Sequence, residues 1–302
     1  MSSAHTTAYQ RLVAAAAGLK VPDAVRQVAT APPQDPQPRQ IWRAVWQDTI
    51  QLLLITAAGD DDTLRAVPAS FERYADADTV LLPAQATTLE QPLALWWGLE
   101  TVLPWCVLDR QVSELTSRPP ALTARALADA VPGTQWGSGT ALSASAVEYR
   151  AMVAGNLECL ASAQWAPQGS GDLHQLFRDH GVTVPQLGAE LKLPPPQALA
   201  VWRGHQALTA DQAATLADRL GQPASHLLAA NPALPAAIVH ELNRPLRRKQ
   251  TKALAAQHDE SEHDARLRAV YGIYALAARD DDRTRPNWTA RTDRYFELCL
   301  DQ

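Results

Sequence analysis

The densest group of chemistry-bearing side chains in the sequence is His258-Asp-Glu-Ser-Glu-His263-Asp264, acids and imidazoles of the kind that ligate transition metals. A helix brings two ligands onto one face only at i, i+3 or i+4, and these histidines are five apart, so the spacing argues against a metal site. His240-Glu241 opens like the helical zinc-protease signature, but Arg244 stands where the second histidine is required. The acidic triplets Asp60–Asp62 and Asp280–Asp282 lack the alternating ligands and glycine of a calcium loop and read as solvated turns. There is no phosphate-binding G-x-x-x-x-G-K-S/T loop and no G-x-S-x-G nucleophile elbow, and Gly133, Gly137 and Gly139 do not follow a strand in dinucleotide-binding order. The expectation is a protein that is not an enzyme, with no catalytic residue, metal or cofactor.

What remains is recognition chemistry. Arg244, Arg247, Arg248, Lys249 and Lys252 form a basic run able to neutralise several phosphates, although such a run is also the ordinary composition of a solvated helix face. Gln197 and Arg203, followed by His205 and Gln206, are the polar residues of the segment Pro195 to Gln206. Glutamine bonds adenine bidentately and arginine bonds guanine or phosphate, whereas the prolines and alanines between them offer only shape and a thymine-methyl contact. The same side chains would equally solvate an exposed helix end in a domain built for protein contact. Five tryptophans, Trp42, Trp46, Trp96, Trp97 and Trp105, concentrate in the N-terminal half. Trp96 and Trp97 suit a partner-binding surface, while most of these indoles would fill a small core.

Net charge bounds these readings. At −5 the chain does not coat nucleic acid through a broad positive field, so any DNA contact must come from a local patch. The 302 residues suit two or three cores, and 46% hydrophobic against 20% charged residues is ample material for burial. Cys106, Cys159 and Cys299 are widely separated, which indicates neither a disulfide framework nor a zinc site and fits a reducing cytoplasm. Met1 to Tyr9 lacks the charged and apolar regions of a signal peptide, and no apolar stretch approaches the ~18 residues of a membrane span. The expected location is cytoplasmic.

The elements that would position these residues follow from periodicity. Residues 1–30 read as two short helices and 31–38, Ala31-Pro-Pro-Gln-Asp-Pro-Gln-Pro38, as a semi-rigid linker. Within 39–116 the pattern becomes a three-stranded meander: Ile41 to Trp46, Ile50 to Ile55 and Thr63 to Val67, with a polar turn at Gln47 to Thr49. Thr79 to Leu82 and Trp105 to Leu108 add strands, and Leu93 to Glu100 is a short helical or irregular connection. Residues 120–166 form a helical connector, with helices over Ala121 to Ala130 and, after a Ser145–Glu148 capping box, Ala146 to Trp165; Pro132 to Thr140 between them is a Gly-rich loop, and Pro167 to Gly171 a hinge. In 235–302, Pro235 to Gln257 reads as a helix bent at Pro245, followed by Glu260 to Arg279 and Thr289 to Leu300.

Residues 171–230 are the most specific. Thr183 and Gln186 form a capping box, as do Thr209 and Gln212, and Gly181, Gly204 and Gly221 punctuate five short helices. The pattern Gly181-Val-Thr, Leu187-Gly188, Leu191, Val201-Trp-Arg-Gly204, Leu216-Ala, Leu220-Gly221, Leu227-Leu228 resembles the XRE, or phage-repressor, family of helix-turn-helix domains. The resemblance implies that Pro195 to Arg203 is the helix that enters the major groove, with Pro196, Gln197, Ala200 and Arg203 facing outward. The sequence departs from the family at Trp202, where a charged residue is usual, and at Pro194 to Pro196, where polar residues are usual. The strand order of 39–116 is more loosely similar to the SH3-like barrel of the PemK/MazF toxin group, but the long catalytic loop which that group carries between its first strands is here the tight turn Gln47 to Thr49. Ser70 and Arg65 are its only hydroxyl and cation of note, and both residue types are common on strands.

The expectation is therefore an α+β multi-domain chain: a small SH3-like antiparallel β-barrel, an all-α helix-turn-helix domain and C-terminal helices. Its expected roles are a DNA-binding transcriptional regulator or antitoxin-like protein that contacts double-stranded DNA through Gln197, Arg203, His205, Gln206, Arg247, Arg248, Lys249 and Lys252, as a homodimer; an adaptor that binds proteins and not DNA in a toxin–antitoxin or phage-defence setting; or, last, a ribonuclease of the toxin group.

Overall fold

The computed structural model describes residues 34–59, 62–137, 143–166, 169–277 and 287–300. The two helices expected before residue 31, Asp60, Asp61 and the Asp280–Asp282 triplet lie outside the described residues.

The fold is mixed α+β. Strands β1 (Gln40–Trp46), β2 (Thr49–Ala58) and β3 (Thr63–Ser70) form the expected antiparallel meander, with Trp42 opposite Leu53 and Leu54 opposite Val67. Strands β4 (Thr79–Leu82), β5 (Leu93–Trp96), β6 (Thr101–Pro104), β7 (Leu108–Glu114) and β8 (Gln135–Trp136) complete one sheet in the order β7-β1-β2-β3-β5-β4-β8, with β6 also on β3. β3 serves two partners because β5 pairs with its last residues and β6 with its first, a single turn at Trp97–Leu99 separating them. The ends of the path, β7 and β8, do not pair, so the sheet is open where a closed barrel was expected. Two local assignments also change: Leu93–Trp96 is a strand, and Trp105–Val107 is a 3₁₀ turn ahead of β7.

Because strand side chains alternate, the sheet buries both faces. Ile41, Leu54, Val67 and Leu95 point to one side, where Leu127 of helix α1 (Ala124–Ala130) closes a small core. Trp42, Leu53, Ile55, Leu64 and Leu103 point to the other, against Val153, Leu157 and Leu160 of α2 (Ala144–Ala161). The cap of α2 is Ser143, whose hydroxyl accepts from the Ala146 amide, in place of the expected Ser145–Glu148 box, so the helix starts two residues early; it ends at Ala161, short of the expected Trp165.

Five short helices follow: α3 (Leu173–Asp179), α4 (Val184–Glu190), α5 (Pro195–Trp202), α6 (Ala210–Leu220) and α7 (Ala224–Ala229). The two capping boxes predicted within this bundle form, and Gly221 ends α6 at φ +62°, a left-handed conformation that glycine adopts without penalty. Leu173, Phe177, Leu187, Val201, Leu216 and Leu227 make a separate core. Buried Asn231 closes the bundle, accepting from the Leu208 amide and donating to its carbonyl at 2.8 and 3.1 Å.

The chain then forms α8 (Ala236–Asn243), α9 (Pro245–His258), α10 (Glu262–Ala277) and α11 (Trp288–Leu300). Arg244 is extended, as a residue before proline prefers, so Pro245 opens a new helix and does not bend a continuous one. Ile238, Leu242, Leu254, Ile273 and Phe296 from these helices join the core shared by the sheet and α2, so the segments on either side of the five-helix bundle pack together.

Candidate functional site

Helix α5 is anchored from behind. Ala198 and Val201 are buried, and Gly188 of α4 lies so close that a Cβ there would stand 3.2 Å from the Leu193 carbonyl and 3.3 Å from Ala198. Trp202 is half-buried, donating its indole N–H to the Val182 carbonyl at 2.8 Å and meeting His174 edge-on. This is where the expected charged residue is absent: the indole braces α5 against α3. In front, Pro195, Pro196, Gln197, Arg203 and His205 are exposed, while Ala200 and Gln206 are half-buried.

The start of α5 is poor in donors. Pro195 and Pro196 have no N–H, and the amides of Gln197 and Ala198 both bond the Pro194 carbonyl at 3.0 Å. A phosphate at this helix start therefore meets none of the free amides that make other helix starts anion sites. The cations of residues 169–231 are Arg178, Lys192, Arg203 and Arg219, against the acids Asp172, Asp179, Glu190, Asp211 and Asp218. Arg219 is paired with Glu190, whereas Arg178, Lys192 in the α4–α5 turn and Arg203 are exposed. On one flank a cleft of about 200 Å³ sets Gln197, Gln206 and Gln212 opposite Glu260, Asp264, Arg268 and Tyr271.

The basic run on α9 faces a different way from the expectation. Arg247 is 1% exposed; it donates to Glu241, Asp293 and, at 3.0 Å, Gln250. Arg248 is also buried, with Nη1 donating to the Val107 carbonyl at 2.8 Å and Nη2 to Glu262 at 3.1 Å. Lys252 pairs with Asp109, which also holds Arg43, and Arg244 pairs with Asp35 of the Pro-rich linker at 2.9 and 3.1 Å. Burial pushes the Asp109 carboxyl up, but the hydrogen bonds and charges of Lys252 and Arg43 outweigh it and hold the group below the ordinary carboxylate range. A run contiguous in sequence is spread around a helix, and here the face carrying Arg247, Arg248, Thr251 and Leu254 is turned inward. Of the run, Lys249 faces solvent. Arg247 and Arg248 are thus structural residues and not phosphate contacts.

The tryptophans correct a second expectation. Trp96 is 0% exposed, its indole donating to Ser70 Oγ at 3.2 Å, and Trp97 is half-buried against the smaller sheet core. Neither forms an exposed aromatic surface. Ser70 and Arg65 are engaged structurally, Ser70 donating to the Glu72 carbonyl at 3.0 Å and Arg65 pairing with Glu100 at 2.8 Å. Asp62 is not a solvated turn residue: it accepts from His240 and, at 2.8 Å, from Asn243, whose Oδ1 accepts the Trp165 indole N–H at 2.6 Å. That chain ties the β2–β3 turn to α8 and the segment that follows α2. Among the described residues no cluster of three or more metal-ligating side chains occurs, and no helix is long and apolar enough to cross a membrane.

Sequence reasoning passed over Lys192 and Arg266. Lys192 was legible as the lone cation of the α4–α5 turn; Arg266 carried no signal, because only the fold shows it to be buried. Comparison with known proteins gives no matching family model, no matching curated protein and no matching solved structure.

Proposed function

We propose that the chain is a DNA-binding regulator of the repressor or antitoxin kind, in which α4 and α5 act as a helix-turn-helix and α5 enters the major groove. The observation that carries this reading is the presentation of α5: buried along Ala198 and Val201, open along Pro195 to Gln197 and at Arg203, and not covered by the sheet. Gln197 and Arg203 read base edges, Lys192 and Arg178 hold phosphates, and His205 and Gln206 border the groove. Lys249 is the exposed member of the α9 run that could add a contact, since Lys252, though partly exposed, is held by Asp109. The sheet serves as a partner or sensing module, and a homodimer matches two half-sites.

The test is fluorescence anisotropy against a duplex from the chain's own upstream region. Three phosphate contacts per protomer give a slope of log K on log salt of about −2.7, or roughly −5 for a dimer. Arg203→Glu with Lys192→Glu should abolish binding, and wild-type protein that shows no salt-dependent binding ends the proposal. The proline-capped start of α5 and the acidic excess of the bundle favour a second reading, an adaptor that docks α5 on a protein. Retained biological activity in Arg203→Glu, with capture of a neighbouring gene product, selects it.

A further inference from the structure

Between β1, the segment that follows α2, α9 and α10 lies a cleft of about 410 Å³ lined by Val45, Trp46, Trp165, Arg248, Glu262 and Arg266, among others. Its rim residues Gln47, Gln164 and His263 are exposed, whereas Trp165, Arg248 and Arg266 are buried. Solvent therefore reaches a mouth whose floor is two guanidinium groups and an indole.

Arg266 is the unusual group. It is 2% exposed, and its Nη2 donates to Glu262 Oε1 at 2.8 Å, but buried Nε and Nη1 bond no oxygen or nitrogen and have only the Cys106 thiol beside the guanidinium. Its guanidinium lies 5.3 Å from the centre of the Trp165 ring. Glu262 is shared: it also accepts from Arg248 Nη2, and Arg248 Nε lies 2.8 Å from its Oε1 without the alignment of a hydrogen bond. Two buried cations thus divide one carboxylate. The neighbouring Cys106 thiol supplies no second charge, since burial pushes it up and outweighs the opposing pull of Arg266 and Arg248. A neutral thiol is also a weak acceptor. A buried cation that shares its one carboxylate with a second arginine and keeps idle donors is costly, and a group of that kind calls for an explanation.

We propose that this cleft binds a small organic carboxylate with an aromatic or apolar body, its carboxylate accepting from Arg266 and its body lying against Trp46 and Trp165. One negative charge balances the excess of Arg248 and Arg266 over Glu262, and the indole walls favour a flat body over a hydrated inorganic ion. The assignment rests on the cleft alone and is independent of the α5 reading.

The experiment is isothermal titration of the full chain with 1-naphthoate, 1-naphthamide and inorganic phosphate. Naphthoate should bind, and naphthamide, of the same shape without the charge, should bind at least ~10-fold more weakly because a charge-assisted hydrogen bond is lost. Phosphate should bind more weakly than naphthoate. Arg266→Met should abolish naphthoate binding with little change in the melting temperature, since Glu262 keeps its bond from Arg248 when the Arg266 half of the shared pair is removed. Trp46→Ala, at a half-exposed position, should weaken naphthoate while the fold is kept, and stands in should Arg266→Met fail to fold. No naphthoate binding, equal naphthoate and naphthamide affinity, phosphate binding as tightly as naphthoate, or unchanged binding in either folded variant would overturn the proposal.

Discussion

Replacing Arg247 by methionine should unfold the protein more readily while leaving DNA affinity, measured on the folded fraction, unchanged. Arg247 is 1% exposed and its guanidinium meets Glu241 through Nε and Nη2, Gln250 and Asp293 through Nη1, and more distantly the Thr289 carbonyl at 3.5 Å. Its removal leaves the buried Glu241 carboxylate with Arg244 at 3.3 Å and the Thr289 hydroxyl at 3.0 Å. Breaking one half of a buried pair costs about 3–5 kcal/mol. With a urea m-value of about 3 kcal/mol/M, the midpoint falls by on the order of 1 M. Tryptophan fluorescence follows this transition, because the core that Arg247 supports contains Trp42, Trp105 and Trp165. Arg247→Met with Glu241→Leu should recover much of the loss, since the carboxylate that the arginine neutralised goes with it; Arg244 keeps Asp35. Lys249→Glu, on the exposed face of the same helix, should shift stability by less than ~0.5 kcal/mol. An Arg247→Met protein as stable as wild type but unable to bind DNA would refute the structural role assigned to the residue.

Asp109, held below its ordinary range despite burial, stabilises the fold fully above its unfolded value of about 4 and loses that contribution as pH falls through the lower folded value. Asp109→Asn should therefore be less stable than wild type at neutral pH, with the gap narrowing below about pH 4 in urea titrations. Gly272 of α10 sits where a Cβ would stand 2.3 Å from Tyr295 of α11, so Gly272→Ala should cost about 1–3 kcal/mol and lower the melting temperature. Thr209→Ala, which removes a hydroxyl accepting from the Gln212 amide at 3.2 Å, should cost ~1 kcal/mol and speed amide exchange at the start of α6. Neutralising the acidic flank of α5 with Glu260→Gln and Asp264→Asn should tighten DNA binding and steepen its salt dependence, and weaker binding would count against that approach of the duplex.

What the sequence made legible were features decided locally. The capping boxes at Thr183 and Thr209, the stop at Gly221 and the β1–β3 meander all depend on residues within a few positions of one another, and all are present. The open sheet was not legible, because β3 divides itself between β5 and β6, and no periodicity along one strand records which distant segments share it. The basic run misled for a related reason. Its arginines look like a solvated patch because α9 has few large apolar residues, yet the partners that bury them, Glu241, Glu262, Asp109 and Asp293, come from four other elements. Charge in a sequence is visible, whereas its neutralisation across a fold is not. The α5 surface was legible as a position and not as a chemistry: the family resemblance implied that Gln197 and Arg203 face outward, but that the first amides after the prolines both turn back to the Pro194 carbonyl emerged only with the hydrogen bonds.

Helix α10 borders both proposed recognition surfaces. Glu262 and Arg266 on one side line the cleft proposed to take a carboxylate, while Asp264, Arg268 and Tyr271 on another flank α5, and Tyr271 donates to the Pro232 carbonyl at 3.1 Å just beyond the bundle. A ligand that neutralises Arg266 frees Glu262 from serving two cations, and movement of this helix is the direct route to a change at α5, because among the described residues α10 is the element that contributes to both cleft linings. Such coupling is reciprocal: the factor by which naphthoate alters DNA affinity must equal the factor by which DNA alters naphthoate affinity. If α10 stays fixed, both factors are one, and the cleft and α5 are then separate sites on one scaffold. Gly272 gives the means to decide, since its close packing on Tyr295 sets how α10 lies against α11. In a Gly272→Ala protein that still folds, coupling carried by α10 should change while the affinity of isolated naphthoate binding is kept.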